Sequence, residues 1–177
     1  MRIGMDFDNT IVDYTGVFHA AALERGLIPA DFPDSKAAVR AHLNGGGRAD
    51  DFTLLQGHVY GARMDLARPY SGVADFAAEA VAAGHVLYVV SHKSRRPVLG
   101  PAHDLRAAAN RFLAANGLVA TGMIDAGRVY FEPSQDAKVA RIDALALDAF
   151  IDDLPNILTA VQVARPPIST VAMMFTK

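Results

Sequence analysis

The 177-residue chain contains no cysteine, so disulfides and thiolate metal sites are excluded. It also lacks a basic surplus: 17 Lys and Arg stand against 19 Asp and Glu, a formal net charge of −2. A protein that binds nucleic acid electrostatically needs such a surplus to neutralise phosphates, so nucleic acid is not an expected partner. No apolar run approaches the ~20 residues of a membrane span. The N-terminus has no basic region followed by an apolar stretch, as a secretory leader would, and reads instead as a core strand. Repeats, low-complexity tracts and a long disordered tail are also missing. These absences lead to the expectation of a soluble, cytoplasmic protein with neither a nucleic-acid nor a membrane partner.

What is present is enough apolar material for a sizeable core, 51% of residues, on a length that suits one domain with a small inserted module. Strand-like runs fall at Arg2–Asp6, Val86–Ser91, Arg128–Phe131, Ala149–Asp152 and Ser169–Met174. Most are continuously apolar rather than alternating, as expected of strands buried on both faces of a parallel sheet. Helical patterns lie between them. Gly72–Ala83 ends at Gly84 and Asp104–Asn116 ends at Gly117, both good C-terminal stops. Asp136–Leu145 and Pro155–Ala164 follow the third and fourth strands. This alternation predicts an α/β fold, a doubly wound Rossmann-like parallel sheet. Ligands of such sheets sit beyond the carboxyl ends of the strands, where Asp6, Ser91 and Asp152 fall.

Residues 13–70 break the alternation. Tyr14–Arg25, Ser35–Leu43 and Ala49–Ala67 read as helices with no strand between them, and Asn44-Gly-Gly-Gly47 reads as a flexible joint. No Lys-Ser/Thr follows those glycines, so they are not a phosphate-binding P-loop. The expected organisation is a catalytic core of residues 1–12 and 71–177 with a helical insert at 13–70.

The chain opens with Met1-Arg-Ile-Gly-Met-Asp6-Phe-Asp8-Asn9-Thr10. Alternate strand residues share a face, so Asp6 and Asp8 can project into one small space. Two carboxylates there repel unless a cation or a shared proton intervenes. A hard divalent metal is the simplest guest, and Mg2+ is the usual occupant of such oxygen sites. The plainer alternative is a solvated acidic turn capping the next helix. The paired acids of Asp152-Asp153-Leu-Pro have the same two readings, metal site or helix cap.

In this setting Asp6-Phe7-Asp8-Asn9-Thr10 resembles the first motif of the haloacid-dehalogenase-like (HAD) phosphohydrolases. His85-Val-Leu-Tyr-Val-Val-Ser91 is similar to their second motif, an apolar strand ending in Ser or Thr. Lys138, early in a helix, resembles the third, and Ala149-Phe-Ile-Asp152-Asp153 the fourth. The four occur in order and span most of the chain.

The resemblance implies a phosphomonoesterase acting through an aspartyl-phosphate. It assigns Asp6 as nucleophile and Asp8 as general acid, then base. Ser91, Lys138 and Asn9 would contact the phosphoryl group. Mg2+ would be held by Asp6, Asp152 and the backbone carbonyl of Asp8. Asp153 is open to three roles: direct ligand, ligand through water, or support for a neighbour. The second acid favours phosphatase over dehalogenase chemistry, because a halide leaves without a proton. An insert after the first motif resembles a small helical cap. The substrate implied is a small phosphorylated metabolite, a nucleotide or sugar phosphate.

The stretch His92-Lys-Ser-Arg-Arg-Pro97 is basic and follows directly on Ser91. Arg95 and Arg96 are candidates for a second anionic group of the substrate, against the reading of a solvated basic loop. The rival functional class is a phosphoacceptor or binding module on the same type of sheet, which would not turn over.

Overall fold

The structure is a computed structural model, and it describes residues 1–173. Contacts divide the chain into two units. One comprises residues 1–13, 69–94 and the chain from 113 on; the other comprises 14–68 and 95–112.

The first unit is built on a five-stranded parallel sheet. Its strands are β1 (Arg2–Met5), β4 (Val86–His92), β5 (Val129–Glu132), β6 (Ala149–Asp152) and β7 (Ser169–Ala172), in the order β5-β4-β1-β6-β7. The chain builds outward from β1 on one side and then returns to the other, so strand order reverses between β1 and β6. A crevice at the carboxyl ends forms at such a reversal. Register fixes what stands there. Met5 pairs with Val89 on one side and Ile151 on the other, and the Asp6 amide continues the ladder to the Ile151 carbonyl at 2.9 Å. Asp6 and Asp152 therefore come next on adjacent strands.

Helices α4 (Val73–Ala82), α6 (Gln135–Ala144) and α7 (Pro155–Ala164) cover the sheet. Val90, Ile142, Leu147, Phe150, Ile157 and Val161 form one core cluster. Gly4 faces it at close quarters: a Cβ there would lie 2.8 Å from Phe150 Cδ2 and meet Leu147 Cδ1. Ser134 starts α6 by accepting the Ala137 amide at 3.1 Å. Pro155 opens α7 at a position where a missing N–H costs no helical bond.

The mixed α/β architecture with its parallel sheet is the one expected from sequence, with shifts at the ends. Strand β5 starts at Val129 because Arg128 closes a short 3-10 turn, Ala126–Arg128. The last expected strand stops at Ala172, and Met174 lies outside the described residues. Two short strands, β2 (Val12–Asp13) and β3 (Arg68–Pro69), pair with each other where no strand was expected.

The second unit contains α1 (Val17–Glu24), α2 (Lys36–Gly45), α3 (Ala49–Gly61) and most of α5 (Leu105–Ala115). The single helix expected over Ala49–Ala67 ends at Gly61 and resumes as a 3-10 turn at Met64–Leu66. The glycine run is tighter than a loose joint. Asn44 and Gly45 are helical, Gly47 turns at φ 70°, and the Arg48 amide bonds the Leu43 carbonyl at 2.8 Å. Phe18 anchors the helices. It stacks on Phe52 at 6.0 Å and meets Tyr60 edge-on at 5.7 Å, with the Lys36 ammonium 4.4 Å from its ring centre. On α3, Gly57 and Gly61 let the 95–104 segment pack closely. A Cβ at Gly57 would stand 2.7 Å from Pro97 Cβ, and one at Gly61 2.6 Å from His103 Cβ.

Candidate active site

Asp6 follows β1 directly and is 5% exposed; Asp152 ends β6 and is fully buried. Two ionised carboxylates at this depth need compensation, and Lys138 supplies it. It sits in the first turn of α6, itself 2% exposed, with Nζ 2.5 Å from Asp6 Oδ1 and 2.6 Å from Asp152 Oδ2. A lysine early in a helix opposes the macrodipole, and the two anions it faces outweigh that. The second Asp152 oxygen accepts the Leu154 amide at 2.9 Å. That bond, from the amide two residues on to the Asp152 carboxylate, turns the chain from β6 into α7, whose N-cap is Leu154 and has no side-chain cap bond.

Burial raises the Asp6 pKa to about 7, with Asp152 and Asp8 pushing the same way and Lys138 opposing. Burial works against the Lys138 charge, but Asp6 and Asp152 outweigh it and hold its pKa above the usual lysine value. Asp153, half-buried, is also raised, first by burial and then by Asp152, while a hydrogen bond from the Asn9 side chain lowers it. The raised proton affinity of two of these acids follows from their burial and from mutual repulsion. Ligand oxygens of Asp6, Asp152 and Asp153 all lie within 4.8 Å of one another. An all-oxygen set of carboxylates fits a hard divalent ion such as Mg2+.

Beside this group is a cavity of about 120 Å³ lined by Asp6, Asp8, Asn9, Ser91, Lys138 and Asp153, with His92, Gln135, Leu154 and Ile157 completing the wall. It has room for several water-sized groups. The loop between Asp6 and Val12 is held by its own backbone. Val12 and Ile11 amides both bond the Phe7 carbonyl, at 3.0 and 3.1 Å, and Asn9 takes a left-handed φ of 57°. Asn tolerates that conformation better than most residues, which explains an asparagine at this position. Ser91 is 1% exposed on β4, paired with Phe131. Thr10 is 3% exposed, and its hydroxyl has no hydrogen-bond partner among the described residues.

The structure thus brings Asp6, Asp8, Asn9, Ser91, Lys138, Asp152 and Asp153 to one end of the sheet. Arg95 and Arg96 belong to the second unit, where Arg95 Nε bonds Asp104 Oδ2 at 3.1 Å and is mostly exposed. Gln135, not singled out in the sequence, and His92, named there only at the head of the basic stretch, also line the cavity. The larger omission is Lys93, read there only as part of a basic stretch. It is 4% exposed, and its ammonium meets both Asp8 oxygens, at 2.9 and 2.8 Å. The signal was its spacing: Lys93 follows Ser91 by two residues, and β pairing continues to it through a 2.9 Å bond from its amide to the Glu132 carbonyl.

A parallel sheet with acids at the carboxyl ends of the adjacent strands β1 and β6 defines an α/β protein with a polar crevice at the topological switch. Comparison with solved structures places the chain in the fold of the HAD-superfamily hydrolases. A subfamily IA hydrolase of that superfamily from Geobacter sulfurreducens aligns over 97% of this chain and 85% of its own, with a TM-score of 0.60 at 12% identity. A predicted phosphoglycolate phosphatase from Haemophilus somnus aligns over 96% and 83%, with a TM-score of 0.58 at 16% identity. A HAD family hydrolase from Deinococcus radiodurans, solved with bound phosphate and sodium, aligns over 90% and 77%, with a TM-score of 0.54 at 18% identity. No family model matches the sequence, and no curated protein matches it significantly. At these identities the likeness establishes the fold.

Proposed function

We propose that the protein is a Mg2+-dependent phosphomonoesterase that works through an aspartyl-phosphate on a small phosphorylated metabolite, a nucleotide or sugar phosphate. The observation that carries this reading is the buried Asp6–Lys138–Asp152 group opening on a small polar cavity shared with Asp8 and Ser91. A purely structural ion pair needs neither a third carboxylate within ligand distance nor a cavity beside it.

In the proposed reaction an Asp6 carboxylate oxygen attacks phosphorus as the bond from phosphorus to the leaving oxygen breaks. Asp8 gives its proton to that leaving oxygen. The Asp8 carboxylate then takes a proton from water, whose oxygen attacks phosphorus. The Asp6–phosphorus bond breaks, releasing inorganic phosphate and restoring both carboxyl groups. Ser91 donates to a phosphoryl oxygen, and Lys138 offsets charge on Asp6 and on the phosphoryl group. The side chains of Asp6, Asp152 and Asp153, with the Asp8 carbonyl, would hold the metal, which when bound neutralises charge on the phosphoryl oxygens.

Catalysis is assigned to residues 1–12 and 71–177. Substrate choice is left to the insert at 13–70 and to the basic stretch with Arg95 and Arg96.

A panel of phosphorylated metabolites assayed for phosphate release with Mg2+ tests the reading. Asp6→Asn should abolish release while preserving the fold, because the two side chains are nearly isosteric and uncatalysed monoester hydrolysis is extremely slow. Wild-type turnover by Asp6→Asn would overturn the covalent route. A phosphoacceptor module would instead take up one phosphoryl group and stop.

A further inference from the structure

We propose that Lys93 is a positioning residue for Asp8, holding its carboxyl group in the place from which it serves the leaving oxygen. The inference rests on the phosphomonoesterase reading and adds a residue to it. Lysine is seldom fully buried without a partner, and Lys93 has 3% of its side chain exposed. Its ammonium spans both Asp8 oxygens at nearly equal distances. A single bond would leave the Asp8 carboxyl free to swing; engagement of both oxygens fixes its rotation as well as its direction.

Lys93 is itself fixed from two sides. Its backbone extends the β4–β5 ladder to Glu132. Its ammonium stands 5.0 Å from the ring centre of Phe7, which is fully buried and packs edge-on against Phe131 at 5.6 Å. Asp8, by contrast, forms an isolated bridge with Val12 beyond the end of β1, with 23% of its side chain exposed. The buried ammonium therefore orients the more exposed carboxyl group. The two lysines also divide the acids between them. Lys138 serves Asp6 and Asp152, and Lys93 serves Asp8.

The test uses the dependence on the leaving group. Need for a proton donor grows with the basicity of the departing oxygen, and kcat/KM reports the step in which that oxygen leaves. Wild type, Lys93→Met, Lys93→Arg, Asp8→Asn and the Lys93→Met/Asp8→Asn double variant are assayed with Mg2+ on 4-nitrophenyl phosphate and glycerol-2-phosphate. Lys93→Met should lower kcat/KM on glycerol-2-phosphate on the order of 10²-fold, the lower end of what a positioned acid contributes. On 4-nitrophenyl phosphate the loss should be several-fold smaller. In the Asp8→Asn background Lys93→Met should add no further loss, since the two act as a unit.

Lys93→Arg keeps the charge but replaces a point donor with a planar fork. It should show the same leaving-group dependence, and it carries the test if Lys93→Met does not fold. Equal losses on both substrates, or a further loss in the Asp8→Asn background, would mean that Lys93 acts on the phosphoryl group or the fold, and would overturn the proposal. Unchanged activity in Lys93→Met would overturn it too. In each of those cases wild-type hydrolysis stands. If wild type hydrolyses no phosphate ester, the phosphomonoesterase reading falls and takes this one with it.

Discussion

Replacing Lys138 by Met tests the electrostatic heart of the site without reference to turnover. The substitution keeps most of the side-chain volume and removes the charge. Asp6 and Asp152, with 7% and 0% of their side chains exposed, then lose the ammonium that sits 2.5 and 2.6 Å from them. Deleting one partner of a buried pair costs about 3–5 kcal/mol, because the remaining charge is left uncompensated. For a protein of this size each kcal/mol lowers the melting temperature by about 2–4 °C, so the expected drop is about 6–20 °C. The drop should be largest at pH 8 in chelator. At pH 5.5 Asp6 can take up a proton, as its pKa of about 7 in the intact site already favours, and the penalty shrinks. Saturating Mg2+ should restore part of the loss at pH 8 by supplying a different cation; a ligand at 100 times its Kd adds about 2.7 kcal/mol. Thermal unfolding followed by circular dichroism, at both pH values with chelator or Mg2+, reads all three. A drop under ~2 °C at pH 8 in chelator, or an equal drop at both pH values, would refute the argument that Lys138 is the counter-charge of two buried anions.

Three further outcomes are expected. The wild-type protein in chelator should lose stability as pH rises from about 4 towards 7. Asp6 and Asp153 have raised folded-state pKa values, so their contribution is complete below the unfolded value and disappears through the folded one. Lys138, also raised, contributes stability that is complete below the ordinary lysine value and is lost only as pH rises above it, outside this window. Mg2+ should flatten that slope, and a gap between the chelator and Mg2+ melting curves that is independent of pH would contradict it. Asp152→Ala should weaken Mg2+ binding, measured by calorimetric titration, far more than Asp153→Ala, because Asp152 ends the strand in register with Asp6 whereas Asp153 is only half-buried and bonded to Asn9. Gly4→Ala should destabilise by about 1–3 kcal/mol in urea unfolding through crowding of Phe150 and Leu147. A midpoint equal to wild type would show that this core can yield.

The strands were legible where burial is two-sided. β1, β4 and β6 are continuous apolar runs because neighbours and helices cover both faces, and their C-terminal residues mark the crevice. The two-residue strands β2 and β3 were not legible, since no periodicity can be read from two residues. The break of α3 at Gly61 was hidden because helical spacing resumes after it; what places a glycine there is the close approach of His103, a contact remote in sequence. Asp6, Ser91, Asp152 and Lys138 could be picked out because strand ends and a helix start are local features. Lys93 could not be separated from Arg95 and Arg96 by composition. In space β pairing carries Lys93 inward for one residue past the strand, while Arg95 begins the segment grouped with the second unit.

That grouping has a practical consequence for anyone trimming or transplanting the helical module. Residues 14–68 look like a cassette that two cuts would excise. Yet Pro97 and His103 sit against Gly57 and Gly61, and Leu54 lies under Gly100. Excising the cassette would strip the 95–104 segment of the surface it packs on and leave Val98, already 85% exposed, among further uncovered apolar groups. A clean graft needs four junctions, at 13/14, 68/69, 94/95 and 112/113. A chimera made with only the first two inherits the module's helices without the strand of chain that closes over α3.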